Sequence, residues 1–402
     1  MHALDDRAEP FRFDYRPPAV RYGTGAVAAL DSELAALDVS NALVVAGTTT
    51  GTTPAVIDPV RDGLGDRLGA VFAETTPEKR VATALAGARR YDGLGADGIV
   101  ALGGGSSLDV AKAIRALVVH DDRMGAVASF AETGRLPVPE DLPPFVVVPT
   151  TLAGADLSLG AGLTATPENG HVDTPVDGGV SAPQLMPDAA VYDPELVATT
   201  PESVLCASAM NGFDKGVESL YARAATPITD GTAARGLQLL REGLPTLRGA
   251  EGGEPDYGRA VRGTILVQYG IARPEGSTLA LIHAFGHGLT AHSAIQQGAA
   301  HGVIAPHALE FLFEHADCRR ALLADALGVA AGTDPADGVV DAVAAVRDAL
   351  GLPTRLRDVA DVSRDDLPAI AATTAEDGLV ENVPANVPVG ADALERVLEA
   401  SW

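Results

Sequence analysis

Histidines are concentrated in one part of the chain, where they could carry acid–base or metal chemistry. Five of the nine lie between positions 283 and 307, as His283, His287, His292, His301 and His307. The i, i+4 spacing of His283 and His287 places both on one face of a helix. Imidazole moves protons near neutral pH and also ligates divalent metals, usually together with a carboxylate. An isolated pair is more often a surface coincidence or a satisfied core pair, but five histidines with neighbouring glycines indicate a site.

A glycine-rich stretch indicates a second kind of chemistry, the binding of a phosphate. Residues 103–112 follow the apolar, strand-like run 97–102 and lead into a helical pattern. A strand that breaks into three glycines before a helix exposes main-chain N–H groups at a helix N-terminus, which suits a pyrophosphate. The alternative is a connector without a ligand, although a plain turn needs only one or two glycines. The candidate contacts are Gly103, Gly104, Gly105, Ser106, Ser107, Asp109 and Lys112, with the two serines also able to cap the helix.

Composition limits the partners of the protein. The 402 residues carry a formal net charge of −25, which disfavours binding to nucleic acid or to anionic membranes. No apolar run is long enough to span a bilayer, residues 1–6 lack the pattern of a signal peptide, and Cys206 and Cys318 provide no disulfide framework. We therefore expect a cytoplasmic protein. Only three residues are lysine, and an acidic surface poor in lysine is typical of a protein kept soluble in high salt.

The elements that must position these residues fall into two groups. Strand-like and helix-like segments alternate in the first half, which predicts a parallel sheet covered by helices. After Pro201 the pattern becomes helical, with no convincing strand. We predict a Rossmann-like α/β nucleotide-binding domain at residues 1–200 and an all-α domain at residues 201–402. The expected strands are 41–46, 98–102, 145–148 and 189–192, and the expected helices are 26–37, 79–91, 203–225, 229–241, 257–269, 277–291, 318–327 and 335–350.

The sequence resembles the iron-containing alcohol dehydrogenase superfamily along nearly its whole length. The resemblance rests on the glycine motif, Pro149-Thr150-Thr151 after a strand, the His-x3-His element, His301-Gly302 and Pro353-Thr354, in the family's order. It implies a dehydroquinate synthase-like architecture in which a nucleotide-binding domain precedes a helical catalytic domain. It also implies hydride transfer between NAD(P) and an alcohol or carbonyl compound, usually with a divalent metal, and a homodimer.

The metal-binding positions of that family are altered in this chain. The family ligands are an Asp and a His four residues apart on one helix, followed by two further histidines. Asn211 and Lys215 stand at the first two positions, whereas His283 and His301 are kept. An amide is a poor ligand and an ammonium group repels a cation. By motif the chain most resembles the maleylacetate reductase-like branch, which also works without a metal, although a metal held by His283, His287 and His301 stays open. The motifs are those at residues 149–154, 162–164, 192–194, 208–211 and 218–222.

The same comparison predicts roles for the catalytic candidates. Lys215 would supply the positive charge that the metal provides elsewhere, although it could instead be a solvated surface lysine. His283 and His301 would donate hydrogen bonds to the substrate oxygen or orient Lys215, beside Asn211. His287 corresponds to the family histidine near the nicotinamide and is the expected proton shuttle. The maleylacetate reductases have a histidine at position 215 and a lysine at position 171, so their substrate is not carried over.

The cofactor candidates also include the end of the second strand. NAD-specific relatives tend to carry an acidic residue at the position of Gly47, where it binds the adenosine ribose. Glycine removes that acceptor and its repulsion of a 2′-phosphate, so we expect NAD or NADP, contacted also by Thr48, Thr150 and Thr151. Two alternatives stay open, a dehydroquinate synthase-like cyclase and a catalytically silent nucleotide-binding protein. Asn211 and the scarcity of lysine count against the cyclase, and the retained histidines count against the silent protein.

Overall fold

The computed structural model describes residues 10–169, 171–249 and 253–402. Internal contacts divide the chain into two compact units. One comprises Tyr15–Thr200, and the other comprises Pro201–Trp402 together with residues 10–14. In the described part of the chain, we find no helix with both the length and the apolar character needed to cross a bilayer.

The N-terminal unit is built on a six-stranded parallel sheet with the order β1-β8-β5-β4-β2-β3. The strands are β1 (Ala19–Tyr22), β2 (Ala42–Gly47), β3 (Leu68–Thr75), β4 (Gly98–Gly103), β5 (Phe145–Pro149) and β8 (Ala189–Tyr192), while β6 (Gly160–Ala165) and β7 (Val176–Ser181) form a separate antiparallel hairpin. The β4 and β5 strands are buried along their whole length, as expected for strands covered on both faces. The four predicted strands are all members of this sheet.

The register of the sheet determines which loops meet at its carboxyl edge. Gly103, the last residue of β4, is paired with Pro149, the last residue of β5. The glycine motif and Thr150 therefore emerge side by side. The helices of this unit are α1 (Leu30–Ala36), α2 (Thr48–Thr52), α3 (Pro54–Leu64), α4 (Val81–Leu94), α5 (Gly105–Leu117), α6 (Arg123–Thr133) and α7 (Pro194–Ala198).

The second unit is helical, with one correction to the sequence prediction. Two short strands, β9 (Ala272–Arg273) and β10 (Gly276–Ser277), pair as an antiparallel hairpin where we expected no strand. Its Pro274-Glu275 turn gives no periodic signal, and the helix expected from residue 277 begins only at Leu281. The helices are α8 (Glu202–Tyr221), α9 (Pro227–Gly243), α10 (Tyr257–Gln268), α11 (Leu281–His292), α12 (Gln297–His315), α13 (Arg320–Leu327), α14 (Pro335–Ala349), α15 (Leu367–Glu376) and α16 (Ala391–Ala400).

Helix α12 was not predicted, because Gly298, Gly302 and Pro306 lie inside it and resemble helix breakers. The structure gives a packing reason for one of them. A Cβ at Gly298 would overlap the main-chain oxygen of Ala207 in α8. The missing side chain therefore lets α12 approach α8 closely, which brings His301 toward the residues of that helix.

Candidate active site

The glycine motif forms a main-chain cradle between β4 and α5. Gly103 has a φ of 133°, a conformation that favours glycine, and Gly104 is the N-cap of α5. The N–H groups of Ser107 and Leu108 donate to the carbonyl of Gly104. The N–H groups of Gly105 and Ser106 have no acceptor within the helix, as at any helix start, and a pyrophosphate oxygen can accept from them. The residues present therefore fit a dinucleotide.

The two serines of the motif were predicted as possible caps of α5, but neither side chain forms a capping hydrogen bond at its N-terminus. Ser107 is buried, and its Oγ lies 2.8 Å from Oγ1 of Thr75 at the end of β3. A Cβ at Gly47 would lie 3.6 Å from the same Oγ, and Thr48 follows as the first residue of α2. The structure thus brings Gly47, Thr48 and Ser107 together and adds Thr75, which sequence analysis missed.

Both threonines after β5 lie beside the cradle. The N–H of Thr150 donates to the carbonyl of Gly103 at 3.0 Å, and its own carbonyl accepts from Thr200 Oγ1 at 2.6 Å. A Cβ at Gly104 would lie 3.0 Å from Thr151 Cγ2. Thr150 therefore fixes the shape of the cradle through the main chain, and Thr151 forms its wall.

Two charged residues of the motif have different roles from the predicted cofactor contacts. Lys112 is fully buried, and its Nζ donates to the carbonyls of Ala155, Ser158 and Gly160 at 2.9, 2.8 and 3.2 Å. It therefore attaches the loop after β5 to α5. Asp109 forms an ion pair of 2.7 Å with Lys79, a residue that sequence analysis passed over although lysine is rare in this chain.

The helical unit assembles the predicted catalytic histidines against α8. His283 lies between two α8 residues, with Nδ1 2.6 Å from Glu218 Oε2 and Nε2 3.2 Å from Asn211 Oδ1. The rings of His283 and His301 meet edge to face with centroids 4.4 Å apart. A Cβ at Gly286 would overlap the His301 ring, which explains the glycine between the two α11 histidines. We call Asn211, Lys215, His283, His287 and His301 the histidine cluster.

Glu218 anchors this cluster. It is fully buried and accepts a hydrogen bond from the main-chain N–H of His283 at 3.1 Å and from the Tyr221 hydroxyl at 3.3 Å. Burial raises the pKa of Glu218, while main-chain N–H groups in and beside the first turn of α11, including that of His283, oppose the rise. A carboxylate at this helix N-terminus fixes both the start of α11 and the ring of His283.

Lys215 is only partly buried, but its charge acts on the interior of the cluster. Burial lowers the pKa of His283 well below its usual range, and the Lys215 ammonium lowers it further. Burial also lowers the pKa of His301, with smaller contributions from His283 and Lys215. This action of Lys215 on both buried imidazoles is the basis of the role proposed for it below.

Asp214 is a further buried group of α8, and the sequence predicts Asp214 and Glu218 only as carboxylates that flank Lys215 and could pair with it. Both of its carboxyl oxygens lack a hydrogen-bond partner among the described residues, and Oδ2 lies 3.5 Å from Nδ1 of His301. Burial, followed by the charge of Glu218, raises the pKa of Asp214 well above its usual value. The surroundings of Asp214 therefore favour its protonated, neutral form, and those of His301 favour the neutral imidazole.

Of the other three histidines between positions 283 and 307, His287 belongs to the cluster, whereas His292 and His307 lie outside it. His287 is half-exposed, and its Nδ1 lies 2.7 Å from Oδ2 of Asp377, whose other oxygen accepts from the N–H of Leu379. Burial raises the pKa of Asp377, but these two hydrogen bonds outweigh it and leave the pKa below its usual value. His292 contacts Thr373 and His307 contacts Glu310, so neither joins the cluster.

The histidine cluster does not fit a divalent metal. Both ring nitrogens of His283 face protein groups, His287 Nδ1 is taken by Asp377, and Lys215 brings a positive charge. Within the residues that the structure describes, no three His, Cys, Asp or Glu side chains are arranged to hold a metal ion. His283, His287 and His301 do not form such a group in this part of the chain.

Comparison with known proteins identifies the family. Residues 17–194 match the family described as iron-containing alcohol dehydrogenase, and residues 205–402 match its C-terminal domain. The chain is 30% identical to the 4-hydroxybutyrate dehydrogenase of Cupriavidus necator, covering 97% of this chain and 99% of that protein. It is 27% identical to the maleylacetate reductase of Rhizobium sp. (strain MTP-10005), covering 90% of each.

A solved structure supports the fold. The sulfoacetaldehyde reductase of Bifidobacterium kashiwanohense in complex with NAD+ superposes with a TM-score of 0.84, at 20% identity and covering 98% of this chain and 99% of that one. The predicted combination of an α/β domain and a helical domain is thereby confirmed. The chain belongs to the iron-containing alcohol dehydrogenase family and is an NAD(P)-dependent oxidoreductase of alcohols or carbonyl compounds.

Proposed function

We propose that this oxidoreductase works without a metal ion, with the Lys215 ammonium as the group that polarises the substrate oxygen. The observation that carries the proposal is the environment of His283. Its Nδ1 lies against the Glu218 carboxyl group, and its Nε2, the nitrogen that would face an ion, lies 3.2 Å from the amide oxygen of Asn211, which stands where the family resemblance places a carboxylate ligand. Lys215 stands where the family resemblance places a ligand, and its positive charge acts on the same ring.

The residues of the cluster then have different roles in the reaction. The cofactor supplies the hydride in the direction of carbonyl reduction. Lys215 stabilises the negative charge that develops on the oxygen, as an oxyanion-hole donor does. His283 and His301 orient Lys215 rather than contact the substrate, because His283 has no free ring nitrogen and His301 is fully buried.

His287 is the proton donor in this proposal. Reduction of a carbonyl needs one proton on the oxygen for each hydride on the carbon, and oxidation of an alcohol returns both. His287 is half-exposed, so it can be reprotonated by solvent, and the Asp377 carboxylate at 2.7 Å holds its ring. Asp377 is therefore a positioning residue.

The same proposal extends to the cofactor. Gly47 places no carboxylate at the end of β2, and Thr75 and Ser107 offer hydroxyl groups beside it. This environment accepts a ribose 2′-hydroxyl or a 2′-phosphate without charge repulsion. We therefore propose that the enzyme uses NADP at least as well as NAD, and that the substrate is a small alcohol or its aldehyde or ketone.

The experiment combines metal analysis with activity. Protein purified without added metal is analysed for iron and zinc, and the absorbance of NADH and of NADPH is followed with aldehydes, oxoacids and alcohols in high salt. We expect no stoichiometric metal and equal activity before and after treatment with a chelator. About one tightly bound ion per chain, or activity that a chelator removes and iron or zinc restores, contradicts the proposal.

A further inference from the structure

A cavity in the helical unit lies outside the histidine cluster. It has a volume of about 260 Å³, which suits a small molecule rather than a dinucleotide. It is formed where the N-terminal residues 10–12 meet the connection between α8 and α9 and the β9–β10 hairpin. The residues that matter for its chemistry are Arg12, Arg223, Thr226, Arg273 and Glu275.

The charge of this cavity is opposite to that of the chain. Three arginines line it against the single carboxylate of Glu275, while the whole protein carries 54 acidic and 29 basic residues. Arg12 forms an ion pair with Asp14 and lies 3.7 Å from Glu275, so these two carboxylates offset at most two of the three guanidinium charges. Arg223 is exposed, and its terminal nitrogen reaches the carbonyl of Glu381 at 3.4 Å, a long hydrogen bond to a neutral acceptor that does not offset the charge of the guanidinium. The cavity therefore has a local excess of positive charge.

Arg273 gives an independent indication of a ligand. Only 6% of its surface is exposed, and its terminal nitrogens donate to the carbonyls of Gly270 and Ala224. The ring of Phe13 lies 4.9 Å from its guanidinium carbon. Its Nε has no acceptor among the described residues. Removing a guanidinium charge from water is costly, and the negative charge of an anion in the adjoining cavity would offset that cost.

Helix α9 adds a favourable dipole to the same cavity. Its N-cap Thr226 and first residue Pro227 are both part of the lining, and the helix runs for 17 residues. Thr226 and Thr229 satisfy each other in a capping box, so the end of the helix is well ordered. The positive end of a helix of this length favours a negative charge beside it.

We propose that this cavity is a binding site for a small oxyanion, either free phosphate or sulfate or the phosphate group of a small metabolite. The guanidinium groups of Arg12 and Arg223 hold its oxygens from the solvent side, and Arg273 forms the floor. Guanidinium groups suit this ligand because their planar N–H donors pair with two oxygens at once.

The test is calorimetric titration of inorganic phosphate into the protein saturated with NADPH, at constant potassium chloride. Saturation with the cofactor keeps phosphate out of the glycine cradle. We expect one saturable site per chain. Arg223→Gln should weaken phosphate binding about tenfold, the usual loss for one charge-assisted hydrogen bond. Glu275→Gln should tighten it about threefold, since it removes the only carboxylate of the lining.

Arg235→Gln is the matched control, because Arg235 is an exposed cation of α9 whose contact is with Gln238. Its phosphate affinity should equal that of the unmodified protein. Repeating the titration with sulfate and with glycerol phosphate distinguishes a free ion from a metabolite group. The proposal is overturned if no saturable binding occurs, or if Arg223→Gln and Arg235→Gln bind phosphate equally well. None of these outcomes depends on a metal or on Lys215.

Discussion

The dinucleotide cradle and the histidine cluster are built in opposite ways. The cradle consists of main-chain N–H groups at the start of α5, and its glycines matter for the side chains that they lack. The cluster consists of side chains from α8, α11 and α12, and the ionisable groups among them influence one another's pKa values. A main-chain site is lost when its backbone shape is lost, whereas a side-chain cluster can change its chemistry by a single substitution.

Position 215 illustrates this difference. The supports of the cluster, Glu218 beneath His283 and Gly286 beside His301, do not depend on which residue stands at position 215. A lysine there can take over the positive charge of an ion without rebuilding its surroundings. No comparable exchange is available in the cradle, because any side chain at Gly104 enters the space of the ligand or of Thr151.

The largest expected effect is at Lys215. If its ammonium polarises the substrate oxygen, Lys215→Ala should lower kcat by about 10²–10³-fold, the usual result of removing one oxyanion donor. The affinity for NAD(P)H should stay nearly unchanged, because the cradle is made of main chain. Lys215→Arg should restore only part of the activity, since a planar guanidinium does not replace a point charge. Steady-state kinetics and a fluorescence titration of NAD(P)H measure the two effects separately.

Arg235→Ala serves as the control for the loss of a surface cation and should retain full activity. Near-normal turnover in Lys215→Ala would contradict the proposed role and would leave His287 to act without an electrophile.

The next largest effect is expected in the cradle. Gly104→Val should weaken NAD(P)H binding by about 10–100-fold, since its side chain blocks the approach of the pyrophosphate to the main chain. The fold should survive, because Gly104 has a φ of −82° and a ψ of −178°, which valine adopts readily. Gly104→Ala should show a smaller loss, and Gly93→Ala, at a position with open space, should show none. Unchanged affinity in Gly104→Val, measured by fluorescence titration, would disprove the cradle.

The same difference between the two sites determines what the sequence predicts. The central strands 98–102 and 145–148 are apolar on both faces, so local pattern identifies them. The edge strand β1 is exposed along its length and β3 is only partly buried, so both were missed. The cradle was predicted because its function depends on consecutive residues, although the local pattern gave no sign that Lys112 and Asp109 are used in packing.

The sequence predicts only those members of the cluster that give a local spacing signal. The i, i+4 pair of His283 and His287 and the glycines beside the histidines are local signals. Their partners are not, since Glu218 lies 65 residues from His283 and Asp377 lies 90 residues from His287. Only the packing of α8 and of the segment after α15 against α11 brings these carboxylates to the rings.

Asp377 therefore provides a third prediction, with a smaller effect. Asp377→Asn keeps an oxygen for the N–H of Leu379 but loses the charge that holds His287, so kcat should fall about tenfold with little change in KM. The pH dependence of kcat should also change, which a purely structural role would not cause. His292→Gln, a change in the other exposed histidine of α11, is the matched control. A change in KM alone would contradict a positioning role for Asp377.

The smallest effect concerns the stability of the cluster. Burial raises the folded-state pKa of Asp214 above the value near 3.9 that it has in the unfolded chain. The folded protein therefore holds this proton more tightly than the unfolded chain does, and stability falls as the pH rises above about 4 and Asp214 ionises in the unfolded chain. Asparagine matches the neutral carboxyl in shape and cannot ionise, so Asp214→Asn should be more stable at neutral pH by about 1–2 kcal/mol. The advantage should shrink as the pH falls through about 4 and vanish at about 3, where Asp214 is protonated in both states. Urea unfolding at several pH values in constant salt measures this difference.

Asp230, a buried aspartate held by both terminal nitrogens of Arg319, is the matched control, and Asp230→Asn should destabilise the protein at neutral pH. If Asp214→Asn is likewise destabilising at neutral pH, Asp214 is ionised in the folded protein and the neutral Asp214–His301 pair is wrong.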